Sequence, residues 1–121
     1  MQNFLDGVVL YNEGRFFEAH EAWEHEWLAT PVGAEKQLLQ CLIMLAGALY
    51  KFTNQEPLGT LKMLKKCVAA LKALPFIDVD IDLDSLRNDV DSLFRRFGGC
   101  SLCVSEEDIP RIKERVTAKA A

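Results

Sequence analysis

The chain has no apolar run of the roughly 18–20 residues that cross a bilayer, so a membrane-spanning helix is not expected. Its N-terminus lacks the basic-then-apolar layout of a signal peptide, and a cytoplasmic location follows as the expectation. A basic surplus is missing as well. Fourteen lysines and arginines face eighteen aspartates and glutamates, for a net charge of −4, which argues against a nucleic-acid partner. There is no Gly-rich phosphate loop, nucleophile elbow or P-loop, and no internal repeat or low-complexity tract. Cysteine is scarce, at four residues, and in a reducing compartment all four would be free thiols. Cys100-Ser101-Leu102-Cys103 is a lone C-x-x-C: without a second pair or a C-x-x-H it cannot complete a tetrahedral zinc site, unless another chain supplies the remaining ligands. Cys41 and Cys67 stand in apolar helical patterns, as small core residues would.

What is present is a chain of 121 residues, half of them hydrophobic and 26% charged, enough for one domain with one core. Apolar residues at helical spacing predict a first helix over 2–12, with Gly14 as its left-handed cap, and a second over about 15–29. A third is expected over 34–53, apolar nearly all round except for a stripe of Lys36, Gln40, Gly47 and Lys51, which places it centrally among its neighbours. Pro57 opens a fourth helix reaching about Leu74, and Asp84 or Ser85 caps a fifth ending near Phe97. A short polar helix from about Glu106 would follow. The fold class is therefore all-α: a single-domain bundle of about five antiparallel helices with short turns over residues 1–97, and a C-terminal extension over 98–121. Between the fourth and fifth helices, apolar residues alternate with Asp78, Asp80, Asp82 and Asp84. No partner strand is evident, so the segment reads as an extended connector. As a calcium loop it fails at Leu83, where glycine is needed. The lysines at 62, 65, 66 and 72 suit a solvated helix face.

The chemistry concentrates in the second helix, Gly14 to Trp27. At about 100° per residue, Phe16, Phe17, Trp23, Trp27 and Leu28 fall on one arc, with His20 and Glu24 inside it and Glu21 on its edge. A His and a Glu inside an aromatic face need partners, because buried polar groups cost free energy when unpaired. One reading is a structural network in which His20 and Glu24 bond to each other and to Asn12, Gln40 or Tyr50. A second is a divalent-metal site of His20, Glu21, Glu24 and water, poorer in ligands than two-metal carboxylate bundles and lacking the second histidine of H-E-x-x-H. A third is an acid–base site with His20 as base and Glu24 orienting it, for which no nucleophile or oxyanion donor is evident. The balance points away from an enzyme and towards a binding or structural module, one that could pair with itself or with a partner protein.

The motif Asn12-x-Gly14-x-Phe16-Phe17-Glu18-Ala19-His20-Glu21-x-Trp23-Glu24-x-x-Trp27 resembles the signature of domain-of-unknown-function family 309, small all-helical proteins with no assigned activity. The resemblance continues through Leu39–Leu49 and more loosely to about residue 95. It implies the helical fold and no reaction. Two departures stand out: Cys41 replaces a glycine of the family pattern, and Tyr50 and Lys51 stand where relatives often carry a histidine.

Overall fold

The computed structural model describes residues 2–100 and 104–115. Five α-helices follow one another: α1 (Gln2–Asn12), α2 (Phe16–Ala29), α3 (Ala34–Thr53), α4 (Pro57–Lys72) and α5 (Leu83–Gly99). The all-α class is thus observed, with the first four helices beginning within a residue of their expected starts.

Sequence explains the boundaries. Gly14 takes φ +82°, the left-handed conformation that closes α1 without a Cβ penalty. Pro57 occupies the first turn of α4, where a missing N–H costs nothing. The cap of α5 lies earlier than Asp84 or Ser85: the Asp82 carboxylate accepts from the Ser85 backbone N–H at 3.0 Å and from its hydroxyl at 2.8 Å. Those bonds hold the Asp82 carboxyl below its ordinary pKa.

α3 packs against α2 on one side and α4 on the other, and nine of its twenty residues are buried, as a central helix requires. Contacts between α2 and α3 pair Phe17 with Tyr50, His20 with Gly47 and Trp27 with Lys36, so residue numbers rise along one helix as they fall along the other. Across α3 and α4 the Cys67 thiol donates to the Cys41 carbonyl at 3.5 Å. Burial raises both thiols, Cys41 to about 11, so they are inert core residues. α1 lies on α2 through Trp23, whose indole Nε1 donates to the Phe4 carbonyl at 3.0 Å. The close approach depends on Gly7. A Cβ there would overlap the indole, 2.6 Å from Cδ1.

The C-terminal segment departs from expectation. Instead of a polar helix from Glu106 there is one 3-10 turn, Glu106–Asp108, and then extended chain. Pro110 removes a backbone donor, and from there on the chain bonds to α1 and to the connector before α5 rather than along itself. Tyr11 donates to the Pro110 carbonyl at 2.7 Å. The Asn12 amide accepts from the Ile112 N–H and donates to the Ile112 carbonyl, both at 2.9 Å. Further on, Ile81 and Glu114 form an antiparallel bridge, flanked by Asp82 N–H to Lys113 carbonyl and Arg115 N–H to Asp80 carbonyl, both 2.8 Å. The alternation over 76–84 therefore has a partner, supplied more than thirty residues downstream. Val104, Pro110 and Ile112 are buried beneath this strap.

The cysteines also need one correction. Cys41 and Cys67 are free, but Cys100 is disulfide-bonded, so not all four are thiols. Cys103, like Lys119, lies outside the described residues.

Candidate functional site

α2 carries two stripes, and the single aromatic arc read from its sequence merges them. Phe16, Ala19 and Trp23, spaced i, i+3, i+7, are buried. Phe17, Glu21, Glu24 and Leu28, spaced i, i+4, i+7, i+11, are exposed and lie about a third of a turn around the helix. Phe17 is 50% exposed and Leu28 75%. His20 and Trp27 sit on the border between the stripes, each half-buried.

The His–Glu pair is therefore not interior. His20 Nδ1 lies 3.5 Å from Glu24 Oε1, at the long end of hydrogen-bond distance, with side-chain exposures of 29% and 53%. The imidazole lies over Gly47 of α3, its Cδ2 3.9 Å from where a Cβ would be. Even a Cβ at position 47 would meet the ring only at ordinary van der Waals distance, and the imidazole stays partly open to water. That geometry removes the need for a buried network, and the other supposed members are elsewhere. Asn12 is fully engaged by Ile112, Gln40 is exposed, and Tyr50 is 41% exposed with its ring 5.3 Å from that of Phe17. Glu21 is exposed and joins neither His20 nor Glu24 in an ion pair among the described residues.

This donor set does not fit a divalent ion. His20 and Glu24 supply two donors, and among the described residues no three His, Cys, Asp or Glu side chains converge. The aspartates of the connector are likewise dispersed: Asp78 and Asp80 face Arg115, and Asp82 caps α5. None of the clefts described opens onto the pair either. The two largest clefts described lie against the C-terminal strap, one beside the α1–α2 turn and the other beside the α3–α4 turn. One, of about 530 Å³, is lined by Tyr11, Glu13, Phe16, Thr53, Glu106 and Arg111 among others. The next, of about 600 Å³, is lined by Phe52, Glu56 and Phe97 among others. Neither is lined by His20, Glu21 or Glu24, which an acid–base site at that pair would require.

The sequence contained a signal for the exposed stripe. Phe17 and Leu28 stand eleven residues apart with two glutamates at the intervening helical positions, a pattern offset from Phe16 and Trp23. The role of Asn12 as a clamp had no such signal, since its partner is one hundred residues away.

A surface His–Glu pair contributes little to folding. Replacing His20 with alanine is accordingly expected to lower stability by less than about 1 kcal/mol, read by urea denaturation. A buried network would lose several times that.

No curated protein matches the chain. A family model does, over residues 4–63, which span α1 to the middle of α4 and contain the whole of α2 and α3. The chain thus carries a member of the family described as domain of unknown function, DUF309, and the exposed stripe lies within it.

Proposed function

We propose that this domain is a protein-binding module whose docking face is the stripe of Phe17, Glu21, Glu24 and Leu28, bordered by His20 and Tyr50. The observation that carries it is the exposure of two large apolar side chains, at 50% and 75%, on one helix face with two carboxylates between them. Folding leaves this apolar surface in water although neighbouring positions of the same helix reach the core. Covering it with a partner would recover the free energy that folding does not. Phe17 is held by its ring contact with Tyr50, so it presents a positioned anchor rather than a loose side chain. The carboxylates select a partner surface that is apolar at its ends and basic between. Such a surface supplies the lysine or arginine partners that α2 itself does not contain. Acid–base chemistry draws no comparable support, for want of a cleft at His20.

The test places a photo-crosslinking phenylalanine analogue at position 17 in cells, with exposed Asn88 of α5 as the control position. Discrete adducts are expected from position 17, absent from position 88 and lost when Glu21→Lys and Glu24→Lys are added. Equal labelling at positions 17 and 88 would sink the reading.

A further inference from the structure

α4 is the mirror of α2 in charge. Its sixteen residues include Lys62, Lys65, Lys66 and Lys72 and no acid, while α2 has Glu18, Glu21, Glu24 and Glu26 and no lysine or arginine. The two helices flank α3 on different sides, so one molecule presents an acidic helix and a basic one. Their exposed stripes also agree in spacing. Phe17, Glu21, Glu24 and Leu28 on α2 have the pattern i, i+4, i+7, i+11, and so do Leu58, Lys62, Lys65 and Ala69 on α4, all exposed. Leu58 is 74% exposed, comparable with Leu28. Among the described residues Glu21, Lys62 and Lys65 form no ion pair, and Glu24 meets only His20. Laid against each other in opposite directions, the stripes match at every position. Leu28 meets Leu58, Glu24 meets Lys62, Glu21 meets Lys65, and Phe17 meets the small Ala69.

We infer that the partner of the α2 stripe is the α4 stripe of a second copy of this chain. The inference rests on reading the α2 stripe as a docking face and supplies its occupant. The apolar ends exclude water, and the paired charges fix register, since a slip of one turn sets lysine against an apolar residue. The contact spans about three helical turns, so it is small and its strength depends on salt.

Sedimentation velocity of the purified full chain tests this, from about 10 μM to 1 mM in low salt and again in about 0.5 M salt, where surface charge is screened. Association that rises with concentration and weakens in high salt is expected. The E21K/E24K chain alone and the K62E/K65E chain alone should each associate at least about tenfold more weakly than wild type, the equivalent of 1.4 kcal/mol. An equimolar mixture of the two should associate again, because each then offers the stripe the other lacks. A single chain carrying all four reversals should also self-associate, which guards against a variant that merely folds badly. A wild-type chain that stays monomeric throughout would overturn the inference. So would association that neither reversal weakens, or that the mixture fails to restore. If the purified chain is monomeric while position 17 crosslinks to another protein in cells, the docking face stands and only its occupant is wrong. If both experiments are blank, both readings fall.

Discussion

Trp23→Ala is expected to be the most damaging single substitution in the domain, costing about 3–5 kcal/mol. Trp23 is fully buried, and its indole fills the space between α1 and α2. The ring reaches Gly7 on one side and lies 6.1 Å from the Tyr11 ring, which itself meets Phe16 edge-on at 5.3 Å. Alanine would leave a cavity, deprive the Phe4 carbonyl of its indole donor at 3.0 Å, and remove a main contact between α1 and α2. A domain of this size has a total stability on the order of 10 kcal/mol, so a third or more would go. Chemical denaturation with tryptophan-independent circular dichroism measures it. A loss below about 1 kcal/mol would mean that α1 is not held through this ring.

The second large effect is expected at Asn12. Its side-chain amide offers one donor and one acceptor to the backbone of Ile112, as a neighbouring strand would. Asn12→Ala removes both bonds and leaves a part-buried N–H and carbonyl to find water, at a cost on the order of 2 kcal/mol. Ile112, which is 3% exposed, would lose its anchorage, and the neighbouring bridge between Ile81 and Glu114 would loosen with it. Next to that gap the strap would keep the bond from the Tyr11 hydroxyl to the Pro110 carbonyl. Burial raises the Tyr11 pKa well above its ordinary value, so the hydroxyl keeps the proton it donates. Hydrogen exchange should show the Ile112, Arg115 and Asp82 amides losing protection together, with the α3 amides unchanged. Unaltered protection at Ile112 would show that the strap is held by apolar burial alone.

The helices were legible because their causes are local. Pro57, Gly14 and the apolar run from Leu38 to Leu49 each act within one or two turns. The C-terminal segment was not, because its conformation is set by Asn12 and by Asp80–Asp82, some thirty to one hundred residues away. Polar residues after Glu106 look helical by themselves, and only the partner backbone makes an extended strap the better use of their hydrogen bonds. The site shows the same limit. The sequence singled out His20, Glu21 and Glu24 in α2, but one helical projection could not tell a buried arc from a bordering one. Where the core ends depends on how α2 is rotated against α1 and α3, and a projection of α2 alone does not contain that rotation. The same rotation carries Phe17 and Leu28 outward with the glutamates.

If the glutamates serve a surface rather than the core, their loss should leave folding alone. The most direct measurement is therefore the melting temperature of the Glu21→Lys/Glu24→Lys chain, taken alongside its crosslinking from position 17. The account predicts a midpoint within about 3 °C of the wild type, consistent with exposed charges that contribute less than about 1 kcal/mol, together with loss of the adduct. A fall of about 10 °C or more with the adduct retained would put the carboxylates back into a structural network and contradict the docking face.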